Sequence, residues 1–307
     1  MATLARGVTV QRSLAHRLGA PKYAGYLLVL PAIVYVLALI GFPLVLGVWY
    51  SLTNTTVAQP GTFIGLKNFV DVAKDPTFIL AVKNTLIIGV IATAAKISLS
   101  VALAFLMLGA FPGRGIMRIL FVLPWTIPIA LSTIAYKWMF ISQYSVVNWI
   151  LIHLGLVTEP GVNWLGQAVP AMAAVIWVST WRAVPFGAIT VLAGLTAIPT
   201  EVIEAARIDG AGWWARFTKV IVPIIAPILF IALLFDLIFT LSELTVVFIL
   251  TGGGPVDQTQ VLANYALQVG VNGTQLGQGA AIALYLLPAL LVLTILSLRH
   301  IGKQEGM

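Results

Sequence analysis

Long apolar runs separated by shorter polar connections dominate this sequence of 307 residues. A helix that crosses a hydrocarbon layer of about 30 Å needs about 20 consecutive, mainly apolar residues. Several runs reach that length, and the pattern predicts one membrane-spanning helix for each. The six predicted spans cover about Tyr26–Tyr50, Asn84–Gly109, Ile119–Phe140, Val169–Leu195, Val220–Leu250 and Ala280–Leu298.

The composition agrees with this pattern. Hydrophobic residues make up 60% of the chain and charged residues 9%, whereas a soluble domain is about one quarter charged. The absence of cysteine excludes disulfides and cysteine-based metal sites, and the histidines His16, His153 and His300 are too scattered to predict a zinc site. The predicted fold class is therefore an all-α membrane protein with six transmembrane helices.

The first apolar run follows a basic segment, residues 1–25, and a secretory signal peptide is its competing interpretation. The run of about 25 residues exceeds the 7–15 apolar residues of a signal peptide, and no small-residue cleavage site clearly follows it. We expect a retained first helix.

Lysine and arginine are concentrated on alternate connections, which predicts the orientation. One side carries Arg6, Arg12, Arg17, Lys22, Arg114, Arg118, Arg207, Arg216, Lys219, Arg299 and Lys303, and the other carries Lys67, Lys74 and Lys83. Because basic loops stay on the cytoplasmic side, we expect both termini, including the tail 300–307, in the cytoplasm. The net charge of +7 then belongs to a membrane face, and nucleic-acid binding gains no support.

The connection at about 199–223 is the substantial loop on the predicted cytoplasmic side, and it reads EAARIDGAGWWARFTKVIVP over most of its length. Thr200 is expected to cap a short helix. Gly210 and Gly212 break that helix, and Trp213–Lys219 is expected to form a second short one. The pattern predicts a helix–Gly–helix elbow between the fourth and fifth spans.

Two interpretations of this elbow stay open on physical grounds. Ile203, Ala206 and Gly210 share helical spacing and predict a small, flat face that docks into another protein. Alternatively, the elbow lies on lipid headgroups, for which Trp213 and Trp214 are suitable.

The elbow also carries a family resemblance. EAARIDG, followed nine residues later by VIVP, resembles the EAA motif of permease subunits of bacterial ATP-binding-cassette (ABC) importers. Val220 and Val222 stand where isoleucine and leucine are usual. Identity and spacing match at Glu204, Ala205, Ala206, Gly210 and Pro223.

Further segments are similar to the MalF-like carbohydrate-uptake branch of that family. They occur in the expected order: LPWTIP at Leu123–Pro128, VPF at Val184–Phe186, GLTAIP at Gly194–Pro199 and LTGGGP at Leu250–Pro255. The resemblance covers Tyr26 to the C-terminus, and it predicts an importer transmembrane domain over residues 26–299.

The resemblance implies a subunit of the bacterial cytoplasmic membrane that forms half of a pathway for a sugar or oligosaccharide. Its implied partners are a second permease, two cytoplasmic ATPase subunits and an extracytoplasmic substrate-binding protein. The chain lacks a GxxxxGK[ST] motif, so we expect no cofactor and no enzyme activity here, with ATP and magnesium used by the ATPase partners. The implied coupling residues are Glu204, Ala205, Ala206, Arg207, Asp209, Gly210 and Trp213.

Four charged residues fall inside predicted spans: Lys96, Arg182, Asp236 and Glu243. A charge at mid-bilayer costs at least ~2.5–3.5 kcal/mol, so these side chains should face the bundle interior, a partner subunit or a water-filled cavity. Asp236 and Glu243 are seven residues apart and should share a helical face. Mutual pairing, with Arg182 and Asp236 as one candidate pair, and a place along the substrate pathway both stay open.

Trp177 and Trp181 are four residues apart and can stack on sugars beside Arg182, or they can serve ordinary helix packing. Trp125, between two prolines, is expected to be structural. The candidate pathway residues are Trp177, Trp181, Arg182, Asp236 and Glu243.

Other functions compete with the sugar importer. The same machinery importing glycerol-3-phosphate, a related phosphodiester or a polyol is the alternative. A proton-coupled secondary transporter could use Asp236 and Glu243 as relay groups, but it leaves the elbow unexplained, and no internal repeat is visible. A membrane scaffold is the weakest rival.

Overall fold

A computed structural model describes residues 21–305, with side chains over residues 25–300. Most of the predicted N-terminal segment and the last two residues of the predicted tail lie outside the described residues. The helices, numbered in chain order, are α1 Pro21–Val36, α2 Phe42–Ser51, α3 Lys67–Ala73, α4 Pro76–Leu108, α5 Arg114–Thr126, α6 Ile129–Phe140, α7 Val146–His153, α8 Ala168–Thr196, α9 Thr200–Ile208, α10 Trp213–Arg216, α11 Val222–Leu241, α12 Thr245–Leu250, α13 Leu262–Leu267, α14 Leu276–Leu284 and α15 Leu287–Glu305. Wider π-helical turns occupy Leu37–Gly41, Phe217–Ile221 and Gln268–Asn272. The all-α fold class is confirmed.

Five helical runs in the described part of the chain are long and apolar enough to cross a membrane, and a bent helix pair forms a further candidate span. The five runs are Gly25–Ser51, Pro76–Leu108, Ala168–Thr196, Trp213–Leu241 and Leu276–His300. A multi-pass membrane protein therefore follows from length and composition alone.

The third predicted span is not one helix. It consists of α5 and α6, which meet at an angle of 94°. Ile127 between them is extended, with φ −75° and ψ 131°, because the ring of Pro128 disfavours helical backbone in the preceding residue. Pro128 also lacks the N–H that would continue the hydrogen-bond ladder.

The fifth span also differs from its prediction, at both ends. Its helix begins at Trp213 in the elbow and runs without a break to Leu241, so the second short helix of the elbow is the start of the span itself. The π turn ends at Ile221, two residues before Pro223, and the N–H of Val222 donates to the carbonyl of Phe217. At the other end the helix stops before Glu243, and α12 is a separate short helix.

The described part of the chain divides into two compact units, with the boundary between residues 49 and 50. Within the second unit, α4 and α8 pack against each other most extensively. Small residues permit this close approach: a Cβ atom on Gly187 would lie 2.3 Å from the hydroxyl oxygen of Ser100. The Ser100 hydroxyl donates to the carbonyl of Val184 at 3.0 Å, which satisfies a buried polar group across the pair.

Three apolar clusters bury the faces of these helices. One joins α4, α6, α8 and α12, another joins α4, α8 and α11, and the third joins α3, α4, α13 and α14. Their most deeply buried members include Ala92, Val175, Val246, Ala104, Ile225, Ala81 and Ile282. Each of the three clusters thus contains at least one helix of the α4–α8 pair, and through them this pair packs against most other helices of the unit.

The N-terminus of α4 is tied to α13. Asp75 caps α4 by accepting from the Thr77 amide at 2.9 Å, and its other carboxylate oxygen accepts from the Tyr265 hydroxyl. Burial is the main cause that raises the pKa of Tyr265 above its ordinary value, and the hydrogen bond to Asp75 is the second. This hydroxyl therefore stays protonated and keeps donating.

Two glycines mark a close backbone contact near α14. A Cβ atom on Gly279 would lie 2.4 Å from the Cα atom of Gly270. Gly279→Ala should therefore lower the free energy of unfolding by about 1–3 kcal/mol, the usual cost of overpacking, and this should appear as a lower melting temperature of the purified protein. Gly115→Ala in α5, where a new Cβ atom meets nothing within 4 Å, is the control. Equal melting of both variants would contradict the close packing.

Candidate functional site

A cavity of about 640 Å³ lies among α4, α5, α8 and α11, within the ~300–1,000 Å³ range typical of ligand pockets. Apolar side chains line most of it, and we refer to it as the central cavity. Its polar lining consists of Lys96, Ser100, Ser179, Arg182, Thr190, Asp236, Thr240 and Glu243.

Lys96 and Asp236 form an ion pair at the wall of the central cavity. The Lys96 ammonium lies 3.1 Å from a carboxylate oxygen of Asp236 and donates to the Thr240 hydroxyl at 2.6 Å. Lys96 is buried, with 7% of its surface exposed, so the pair compensates a charge that would otherwise be costly in this environment. The expected pairing of Arg182 with Asp236 is wrong, because Lys96 on α4 holds the carboxylate.

Arg182 lines the same cavity but has a different environment. Among the described residues, its guanidinium Nε is buried and makes no hydrogen bond, and the same holds for the hydroxyl of Ser179 one turn earlier on α8. Buried donors are normally partnered. Both atoms are therefore enclosed, with hydrogen-bonding capacity that no described residue uses.

Glu243 lines the cavity from beyond the end of α11. One carboxylate oxygen accepts from the amides of Thr245 at 2.8 Å and Val246 at 3.3 Å, and so stabilises the start of α12. The expectation that Asp236 and Glu243 share a face of one helix is wrong, because α11 ends at Leu241 and Glu243 lies in the turn before α12.

The predicted tryptophans do not line the central cavity. Trp181 packs edge to face on Tyr136, with ring centroids 5.0 Å apart, and Trp177 is about half exposed elsewhere on α8. The aromatic lining comes instead from Trp125 and Phe186, whose rings stack with centroids 5.4 Å apart and planes 21° apart.

The sequence pattern does not predict this second aromatic pair. Trp125 is flanked by prolines, which favours a structural role, but it lies just before the break of the third span. Phe186 follows Arg182 by four residues, so helical spacing already placed these two side chains on one face of α8. No sequence signal placed Trp125 opposite Phe186.

The elbow consists of α9, a turn, and the start of the long fifth helix. Gly210 ends α9 with φ +77°, a left-handed conformation that favours glycine. Pro199 is the residue before the helix, and no side chain caps its first turn, so Thr200 does not have the predicted capping role.

The coupling residues implied by the family differ in accessibility. Ala206 is buried, with 8% of its surface exposed, and so holds α9 against the protein. Ile208, which is not one of the implied residues, is 86% exposed, an unusual environment for an apolar side chain. The other implied residues are exposed: Glu204, Ala205, Arg207, Asp209, Gly210 and Trp213.

Aromatic rings connect the elbow to α4. Trp213 stacks on Phe217, with parallel ring planes and centroids 5.5 Å apart, and Phe105 of α4 contacts both rings edge to face. The Arg216 guanidinium donates to the Ala211 carbonyl at 3.0 Å. These contacts hold the turn of the elbow against α4 and against the helical run that leads into α11, the two helices that reach the central cavity.

Comparison with known proteins places this geometry in a wider group. Residues 96–301 match the family described as "Binding-protein-dependent transport system inner membrane component". The trehalose/maltose transport system permease protein MalF of Thermococcus litoralis is 32% identical over 90% of this chain and 92% of its own length. The diacetylchitobiose uptake system permease protein DasB of Streptomyces coelicolor is 35% identical over 95% of this chain and 90% of its own.

A solved structure shares the fold. A chain in the crystal structure of a bacterial alginate ABC transporter, in complex with a periplasmic protein bound to an alginate pentasaccharide, superposes with a TM-score of 0.77. The match covers 94% of this chain and 96% of the other, at 23% identity. The two chains therefore share the same arrangement of helices.

Removing one member of the ion pair should destabilise the protein. Asp236→Asn leaves the Lys96 ammonium buried without a counter-charge, and should lower the free energy of unfolding by on the order of 3 kcal/mol. The double variant Lys96→Gln/Asp236→Asn should recover part of this loss, and Asp71→Asn on an exposed position of α3 should change little. Thermal unfolding of the purified proteins measures all three; an unchanged Asp236→Asn variant would contradict a stabilising pair.

Proposed function

The chain belongs to the family of binding-protein-dependent transport system inner membrane components, and on this premise we propose that it is the permease subunit of an ATP-driven importer of a sugar or oligosaccharide. The observation that carries the cargo assignment is the similarity of nearly the whole chain to two permeases named for disaccharide transport. A cavity of ligand size within the helices, mostly apolar but with several polar side chains in its lining, supports it.

The chain forms half of the transmembrane pathway, and a second permease completes it. Arg182, Asp236 and Glu243 line this half of the pathway, and they meet the solute as the pathway alternates between its two openings. The roles of Trp177 and Trp181 stay predictions, since neither lines the central cavity.

An external substrate-binding protein delivers the sugar, and two cytoplasmic ATPase subunits supply the free energy. The permease itself binds neither ATP nor magnesium and catalyses no reaction. Both of its termini lie in the cytoplasm of a bacterial cell, as the distribution of basic residues indicates.

The elbow couples the permease to an ATPase subunit. Glu204, Arg207 and Ile208 are exposed on α9 while Ala206 is buried, so one side of this short helix is held and the other is available to a partner. An exposed apolar side chain beside charged ones is typical of the centre and rim of a protein interface. Closure of the ATPase pair on ATP then moves α9, and the long helix from Trp213 transmits that movement to the cavity wall.

Charge reversal in the elbow tests the coupling. Glu204→Lys replaces the carboxylate at the proposed interface, and Gly210→Pro is incompatible with a φ of +77°. A lost charge-assisted contact costs about 2–5 kcal/mol at an interface, so sugar uptake should fall at least tenfold while the amount of protein in the membrane stays near normal. Glu159→Lys, an exposed residue of another loop, is the matched control. Uptake, abundance and co-purification of the ATPase are measured together; normal uptake by both elbow variants would leave the elbow as a passive lipid-facing hairpin.

The absence of cysteine makes the orientation directly testable. Gly212→Cys in the elbow should react with a membrane-impermeant thiol reagent only from the cytoplasmic side, and Thr158→Cys only from the outside. Both positions are exposed, so labelling reports which side of the membrane each position faces and not whether it is buried. Labelling of Gly212→Cys from outside would overturn the orientation and the coupling proposal together.

A further inference from the structure

The short helix α7 carries an exposed apolar stripe in the connection between α6 and α8. Val146 is 38% exposed, Trp149 60% and Ile150 45%, and their spacing places them on one helical face. Leu154, directly after the helix, extends this face and is 66% exposed. The ring of His153 packs on Trp149, with centroids 4.2 Å apart. We refer to Val146, Trp149, Ile150 and Leu154 as the α7 stripe.

The polar residue within α7 is on its buried side. Asn148 is 4% exposed. Its side chain donates to the Val162 carbonyl at 2.9 Å and accepts from the Trp164 indole N–H at 2.8 Å. A surface helix of a water-soluble protein turns its apolar side to the core and its polar side to water. In α7 the polar side chain is inside and the apolar stripe is outside, so the outward side is poorly suited to contact with water.

The preceding helix α6 has the same arrangement, and it belongs to a candidate membrane span. Ser132 and Thr133 are buried on α6, whereas Leu131, Ile134 and Trp138 are exposed. Lipid chains form no hydrogen bonds, so a lipid-facing surface is apolar and its polar groups are satisfied inside the protein. Because α7 follows α6 after a short turn, this outward apolar character continues from the span into α7.

The chain around the stripe carries no charge. No Asp, Glu, Lys or Arg occurs from Trp138 to Thr158, and the exposed residues beside the stripe include Tyr144 and Leu156. A protein–protein interface has a polar rim around its apolar centre, whereas this segment is uncharged throughout. Tryptophan and tyrosine are enriched where headgroups meet acyl chains, because their rings are amphipathic. A phospholipid surface therefore fits the α7 stripe better than a protein partner does.

We propose that α7 is an interfacial helix whose stripe lies at the boundary between phospholipid headgroups and acyl chains. With 8 residues the helix is too short to cross the bilayer, so it lies along the surface, as amphipathic membrane-bound helices do. Under the proposed orientation this surface is the outer leaflet. Because Asn148 ties α7 to Val162, the lipid contact also holds the loop that leads into α8. The inference requires a membrane protein and is independent of the transported solute.

Fluorescence quenching by brominated phospholipid tests this contact in the complete transporter, reconstituted in liposomes with cysteine removed from its partner subunits. A bimane fluorophore is attached at Ile150→Cys or Leu154→Cys, both exposed positions in a chain without other cysteines. The phospholipid carries bromine near either the headgroup end or the methyl end of its acyl chains. With bromine near the headgroup end, emission at both positions should fall about twofold, because an interfacial helix buries its apolar side ~5–10 Å into that boundary. Bromine near the methyl end should quench less.

Thr158→Cys is the matched control, since it is exposed in the same connection and lies next to Glu159. Its label should keep its emission in both brominated lipids. Unchanged emission at Ile150→Cys and Leu154→Cys, or stronger quenching by bromine near the methyl end, would overturn the interfacial position.

Other occupants of the stripe give different results, and each of them contradicts the proposal. A label that responds to sugar-loaded binding protein but not to bromine would assign the stripe to that protein. A label that neither bromine nor aqueous iodide quenches would lie against the second permease. Bromine quenching in a wild-type transporter without ATP-driven sugar uptake would count against the proposed function and leave the lipid contact standing.

Discussion

Lys96 donates to Asp236 and Thr240 from inside the helix bundle, and this network joins α4 to α11 where water is scarce. A charge in that environment must be compensated, so the two helices are held at a fixed separation beside the central cavity. Because Lys96 occupies Asp236, Arg182 on α8 has no ion pair among the described residues. One ion pair thereby determines both a helix contact and which of the two basic side chains in the cavity lining is paired.

Near the Lys96–Asp236 ion pair, the helices are in close contact at one place and enclose the central cavity at another. Small residues such as Gly187 and Ser100 bring α4 and α8 so close that a side chain on Gly187 would collide. The third span bends at Pro128 between α5 and α6. Trp125, just before this bend, and Phe186 on α8 line the central cavity. The cavity therefore depends on a proline-directed bend as much as on the close helix pair.

The elbow is structurally continuous with the cavity. The helix that begins at Trp213 runs to Leu241, so Asp236 and the aromatic contacts of the elbow belong to a single helical run. Phe105 connects the same elbow to α4, the helix that carries Lys96. In the proposed cycle, movement of α9 reaches both members of the ion pair through two rigid helices.

The sequence by itself determined the membrane class, the approximate spans and the position of the elbow. Each depends on local properties: run length, composition, and glycine or proline at a defined place. Only the tertiary structure decided that Lys96, 140 residues from Asp236, is its partner, and that Trp125 rather than Trp181 lines the cavity. Membrane helices such as α4, α8 and α11 are apolar nearly all round, so no hydrophobic face marks which side turns inward. Their inward faces follow from contacts between distant segments, which a local pattern does not contain.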